Sequence, residues 1–175
     1  LGASGFGYDL ARQFGLAVTE TRAALGPFTV TSRWKESLAS LSGLSCPVAV
    51  SCGDGTYREP LLFTHRGLSG PAMLQASSHW QPGMTVAIDW LPLIPVAETL
   101  ADLRRRAPRR RLGSWLGEAL PKRLSQALIE WQAWQDRPLA ELSNADIDAV
   151  ASGLKAWQFK PAGTEGWRTA EVTMG

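Results

Sequence analysis

This sequence is poor in sulfur and in imidazole. Its 175 residues include two cysteines, three methionines and two histidines. Cys46 and Cys52 lie in Cys46-Pro47-Val48-Ala49-Val50-Ser51-Cys52, which alternates as a strand does. Extended at ~3.3 Å per residue, the two stand roughly 20 Å apart, well beyond the ~7 Å Cα limit for a disulfide, so both are expected as free thiols. There is no CxxC spacing, and His65 and His79 are fourteen positions apart, so no zinc signature and no metal site is expected. Long hydrophobic runs are missing too. No apolar stretch approaches the ~20 residues of a membrane helix. The most hydrophobic region, Val86 to Val96, is broken by Asp89, Pro92 and Pro95. No charged segment followed by an apolar one opens the sequence, so no signal peptide is expected, and the default is a cytoplasmic protein with no membrane partner. There is no internal repeat and no low-complexity tract. Neither histidine accompanies a serine or cysteine in a nucleophile elbow, and Gly67-Leu68-Ser69-Gly70-Pro71 resembles GxSxG only loosely. The carboxylates are scattered over helix faces, so no catalytic residue is nominated.

What is present is an ordinary globular composition, 45% hydrophobic and 19% charged, at a length that suits one domain or two small ones. The net charge of +2 conceals a local feature: Arg104-Arg105-Arg106 and Arg109-Arg110-Arg111 place six arginines in eight positions, and without them the balance turns acidic. Those arginines could neutralise phosphates, and eight tryptophans could offer stacking surfaces. Yet Trp115, Trp131, Trp134 and Trp157 fall on amphipathic helical patterns, where an indole more commonly packs a core. A helix end also favours solvated cations. Nucleic acid is therefore not expected as a partner, and weak binding through Arg104 to Arg111 stands as an alternative.

The order of elements reads strands, helices, strands. A glycine turn at positions 2, 5 and 7 leads into a short helix from about Tyr8, closed by Gly15. Leu16 to Thr21 and Phe28 to Thr31 read as short strands, and Trp34 to Gly43 as a segment with apolar points at Leu38 and Leu41. Cys46 to Cys52 and Tyr57 to Phe63 flank Gly53-Asp54-Gly55 as an antiparallel hairpin. Met84 to Trp90 alternates as a strand. Helices are predicted over Val96 to Arg106, Leu112 to Leu120 and Pro121 to Trp134. A capping box, Ser143-Asn144-Ala145-Asp146, opens a stripe of Ile147, Val150, Leu154 and Trp157. Strand character returns after Ala156. The expected class is α+β: a small antiparallel β-barrel-like part with an inserted helical bundle.

The stretch with most chemical character is Leu62 to Pro71. Pro60-Leu61-Leu62-Phe63 reads as a strand end and Ser69-Gly70-Pro71 as a helix start, since serine can cap free N–H groups and proline fits the first turn. His65 and Arg66 just ahead of a helix N-terminus would suit an anion. The alternative is a capped helix that binds nothing.

Several blocks together resemble one family. Gly5-Phe6-Gly7-Tyr8-Asp9-Leu10-Ala11-Arg12-Gln13-Phe14-Gly15, Pro27-Phe28-Thr29, Leu41-Ser42-Gly43-Leu44, Leu62 to Leu74, Leu120-Pro121-Lys122-Arg123-Leu124 and Ala170-Glu171-Val172-Thr173-Met174-Gly175 look like the bacterial BaiN-like NAD(P)/FAD-dependent oxidoreductases. The strongest block is Phe63-Thr64-His65-Arg66-Gly67-Leu68-Ser69-Gly70-Pro71. The resemblance implies a piece of a longer flavoprotein, inserted between the two halves of an FAD-binding domain. Residues 1–24 would then be the trailing edge of the first half and a connector, 25–95 with 157–175 a β-rich subdomain, and 96–156 a helical subdomain. It implies FAD in the whole protein, with NAD(P)H as a candidate reductant, and no cofactor and no activity for this piece alone. The implied partner is the FAD-binding domain of the same polypeptide, and the implied substrate is an unidentified small molecule. Thr64, His65, Arg66, Ser69 and Gly70 become candidates for lining the flavin or substrate cleft. Two alternatives stand beside this: the motif only braces the insert against the FAD domain, or the helical bundle docks a protein partner.

Overall fold

The computed structural model describes residues 4–174. Leu1 to Ala3, which open the expected glycine turn, and Gly175, which ends the C-terminal motif, lie outside the described residues. Helix α1 (Phe6–Gln13) is followed by strands β1 (Arg22–Ala24) and β2 (Phe28–Thr29), helix α2 (Ser32–Ala39), strands β3 (Ser45–Cys52), β4 (Gly55–Thr64) and β5 (Gly67–Ser69), helix α3 (Pro71–Ser77) and strand β6 (Val86–Asp89). Four helices come next, α4 (Val96–Arg106), α5 (Leu112–Ala119), α6 (Lys122–Trp131) and α7 (Asn144–Lys155). Strands β7 (Trp157–Phe159), β8 (Gly163–Thr164) and β9 (Val172–Met174) complete the described chain. The class is α+β, with antiparallel pairing throughout. Among the described residues no helix is long and apolar enough to cross a membrane.

The main sheet has the order β7-β6-β3-β4-β5-β2-β8, and β1 pairs separately with β9. Its spine is the β3–β4 hairpin, in register from Ser45↔Leu62 to Cys52↔Gly55 around a two-residue turn. Gly53 takes the first turn position at φ 58, where a side chain would be strained. The outermost strands, β7 and β8, are separated by only three residues in sequence. A flat sheet of seven strands would hold them roughly 29 Å apart, about twice the reach of that link. The sheet therefore curls towards a barrel, but no ladder joins β7 to β8 among the described residues, and it stays open.

Alternation along β3 points Cys46, Val48, Val50 and Cys52 inward, where they meet Leu61 and Phe63 of β4 and Ala72, Met73 and Ala76 of α3. The sheet joins the helices through indoles. Trp157 lies 5.6 Å from Trp34, 5.5 Å from Trp131 and 5.5 Å from Trp90, centroid to centroid. Lys155 clamps the same junction: its Nζ lies 2.7 Å from Asp89 Oδ2 and donates to the Leu91 carbonyl at 2.9 Å. Trp90, Trp115 and Trp157 are thus core residues, each at most 5% exposed.

Two expected elements differ, and an overlap between two others is decided. Leu16 to Thr21 forms no strand: Leu16 is 63% exposed, with no apolar face to bury, and pairing begins only at Arg22. Trp157, which fits both the stripe of α7 and the strand expected after Ala156, takes the strand: the helix stops at Lys155 and Trp157 pairs with Ile88. The helix expected to reach Trp134 ends at Trp131, and Ala133 adopts a left-handed φ of 52.

Candidate functional site

The Thr64 to Pro71 motif is not the strand-to-helix junction expected from sequence. It is a second hairpin, β4–β5, followed by α3. Thr64 closes its turn: Oγ1 accepts from the backbone N–H groups of Arg66 at 3.2 Å and Gly67 at 3.1 Å, and donates to the Gly67 carbonyl at 3.2 Å. Ser69 pairs with Leu62 as a strand residue and caps nothing. The N-cap of α3 is Gly70 at φ 89, while Pro71 does take the first helical position. His65 and Arg66 therefore sit at a hairpin tip, with β5 between them and the helix start. The reason is close backbone packing: a Cβ on Gly67 would stand 2.2 Å from the Phe28 carbonyl oxygen, and one on Gly70 2.8 Å from both Leu62 N and Pro60 O. These glycines let β2 and β4 approach, which draws residues 67–69 into the sheet.

Of the five candidates, Thr64, His65 and Arg66 meet at the tip, while Ser69 and Gly70 lie at the other end of β5. The Arg66 guanidinium lies 3.4 Å from Glu165, whose side chain is only 9% exposed, tying the tip to the segment after β8. His65 is exposed and forms no polar contact among the described residues. The flavin that the resemblance implies needs a backbone cradle, but the close approaches at Gly67 and Gly70 are filled by this chain's own backbone. Neither glycine, as packed, offers a backbone cradle for a flavin.

A cluster that the sequence reading missed sits at the opposite end of β4. The Tyr57 hydroxyl and His79 Nε2 are 2.6 Å apart, and His79 Nδ1 lies 3.0 Å from Asp54 Oδ1. Seven residues of strand place it roughly 23 Å from Thr64. Gly55 makes room, since a Cβ there would stand 2.9 Å from the Tyr57 ring and 3.2 Å from His79. Sequence separations of 22 and 25 conceal the set, and the only local signal is Asp54 in the turn. Its partners fix one another in line and half cover His79, which suits a brace for the hairpin tip. The thiols are equally quiet: Cys46 and Cys52 are free and buried, and burial pushes the Cys46 thiol up to about 11 and raises that of Cys52. Neither is poised as a nucleophile at neutral pH. No group of three or more metal-ligating side chains occurs among the described residues.

The arginine run forms the bend from α4 to α5. Arg104 donates to the Leu142 carbonyl at 2.8 Å and to Asn144 Oδ1 at 2.7 Å. Arg105 and Arg106 share Asp102, Arg110 pairs with Glu118 and Arg111 with Asp136.

A curled antiparallel sheet carrying a helical insertion defines the class of this domain as α+β. The family described as HI0933-like protein barrel and H2TH domain matches residues 22–172, and the chain belongs to that family, which is associated with FAD-binding proteins. The chain is 48% identical over its whole length to the ribosomal RNA dihydrouridine synthase of Escherichia coli K12, and 45% identical to the protein of that name from Haemophilus influenzae. It spans 44% of the length of each of these relatives.

Proposed function

We propose that this chain is the insert domain of a longer FAD-dependent enzyme that reduces uridine in ribosomal RNA to dihydrouridine, and that the insert lies on the RNA side of the reaction. The observation that carries this reading is identity of 48% over the whole chain to a protein named for that activity. A relative so named favours RNA over the small-molecule substrate expected from the sequence. An RNA substrate also agrees with the cytoplasmic expectation. Flavin binding belongs, on this reading, to the remainder of the longer protein.

The Thr64 to Pro71 motif then braces the domain more than it binds. Thr64, Arg66 and Gly70 are engaged within the fold, which leaves His65 at the tip and the half-buried Ser69 at the far end of β5 as the remaining candidates to meet flavin or substrate. Deleting the gene that encodes the protein is expected to remove from ribosomal RNA a nucleoside heavier than uridine by two hydrogens, as read by mass spectrometry of digests, and a plasmid copy to restore it. Unchanged ribosomal RNA in the deletion strain overturns the reading.

A further inference from the structure

We propose that the α4–α5 bend, together with the cleft beside it that Trp134 and Arg137 line, is the surface on which this protein holds RNA; the inference rests on the ribosomal RNA reading above. Six guanidinium groups meet three carboxylates there, Asp102, Glu118 and Asp136. Arg104 is bound to neutral oxygens only, and Arg109 is exposed with no polar partner among the described residues. The side chains of Arg105 and Arg106 are each 77% exposed while sharing one carboxylate. Exposed pairs of this kind are weak, so a phosphate can displace them at little cost, and the planar guanidinium fork matches phosphate oxygens.

The bend is rigid. The Pro108 carbonyl accepts from Ala140 N at 3.0 Å, the Arg110 carbonyl from Leu139 N at 2.8 Å, and Leu112 N donates to the Arg137 carbonyl at 3.1 Å. Charges on a fixed backbone lose less entropy when they engage a polymer than charges on a floppy tail. The same three hydrogen bonds set the arginines against the segment that walls the cleft.

That cleft, of about 250 Å³, is lined by Leu112, Trp134, Gln135, Arg137 and Val150 among others. Arg137 donates through Nη2 to Asp146 at 2.8 Å, but its Nε–H is buried and has no acceptor. Leaving such a donor unpaired is costly, so a ligand oxygen that reached it by shifting the side chains covering it would gain a hydrogen bond the free protein lacks. Trp134 is held against Gly153 of α7, where a Cβ would stand 2.6 Å from the indole. A fixed indole and the Arg137 side chain lining one cleft, beside a line of guanidinium forks, suit an unpaired base next to a helical stem. The arginines supply affinity without regard to sequence, and the cleft favours an unpaired nucleotide over duplex.

The test uses the whole protein that carries these residues. Binding of a fluorescent RNA stem-loop and of a fully paired duplex is measured across a salt series, with Tm as a control. Replacing Arg105, Arg106 and Arg109 together by Ser is expected to leave Tm unchanged. It should weaken both RNAs at least tenfold and lower the slope of log K against log salt by about two to three. Arg137→Lys keeps the charge beside Asp146 but removes Nε–H; it is expected to weaken the stem-loop about tenfold and leave the duplex alone. If the unaltered protein binds RNA and modifies it while the triple variant keeps the same affinity and slope, this assignment falls and the ribosomal RNA reading survives. If Arg137→Lys weakens neither RNA, the cleft is not part of the surface. If the unaltered protein neither binds RNA nor forms dihydrouridine, both fall.

Discussion

Glycine 70 and histidine 65 stand five positions apart in one motif and play opposite parts. Gly70 has φ 89, and a Cβ there would press on two backbone atoms of the neighbouring strand at 2.8 Å. Neither atom can rotate away as a side-chain tip could. Gly70→Ala is therefore expected to cost at least about 2–3 kcal/mol, the sum of left-handed strain and overpacking. His65, exposed and without a polar partner among the described residues, should tolerate Ala within about ±0.5 kcal/mol. Chemical denaturation of both variants checks the contrast. Equal effects would show that the motif does not divide into a structural and an exposed part. Position explains why Ser69 is not the cap: α3 begins at Pro71, so Gly70 holds the N-cap place and Ser69, paired with Leu62, stands one residue too early.

At the scale of elements, the best-defined helix start is that of α7. Ser143 Oγ accepts from Asp146 N at 3.1 Å, and the Asp146 carboxylate accepts from Ser143 N at 2.7 Å and from the Ser143 hydroxyl at 2.6 Å. These two hydrogen bonds from Ser143, with the Arg137 charge as a smaller cause, hold the Asp146 carboxyl below its ordinary pKa. A depressed carboxylate contributes stability above the ordinary aspartate pKa of about 3.9, and that contribution is lost as pH falls through the lower folded value. Asp146→Asn is accordingly expected to destabilise the protein at neutral pH and to converge with the unaltered protein in acid, once pH has fallen through the lowered folded value, as read by denaturation at several pH values. A gap that persists in acid would show that the carboxylate charge is not what matters. Removing the cap with Ser143→Ala should cost about 1 kcal/mol. This box was legible in the sequence, as were helices α4 to α7 and the β3–β4 hairpin, because each is written in local spacing. Strand β2 was legible within Phe28 to Thr31, but strands β5 and β8 were not. They are two or three residues long, too short to show a period, and exist only because distant segments pair with them. The Asp54–His79–Tyr57 set was hidden for the same reason, and His65 and Arg66 were misplaced because β5 was unseen.

For the molecule as a whole, helix α1 is the anomaly. It has no buried residue, yet Phe6, Leu10 and Phe14 fall at intervals of four on one side, 71%, 41% and 74% exposed. Asp9 and Arg12 pair on another part of its surface. Trp167 and Val172, 59% and 44% exposed, lie in the C-terminal segment, and Trp167 and Val172 share a shallow pocket with Tyr8 of α1. An amphipathic helix of this kind gains stability only when its stripe is covered, and the relatives that match end to end are more than twice as long as this chain. On the proposed reading the cover is the FAD-binding part of the longer protein. Phe6→Ser with Phe14→Ser should then leave the 175-residue chain within about ±0.5 kcal/mol of its original stability, since neither ring is buried there. In the longer protein the same pair should cost about 3–6 kcal/mol, from two aromatic side chains returned to water. Parallel denaturation of the two proteins, each with and without the substitutions, distinguishes the cases. An equal and negligible cost in both would show that α1 faces solvent in the longer protein too, and that the FAD-binding part does not dock on this stripe.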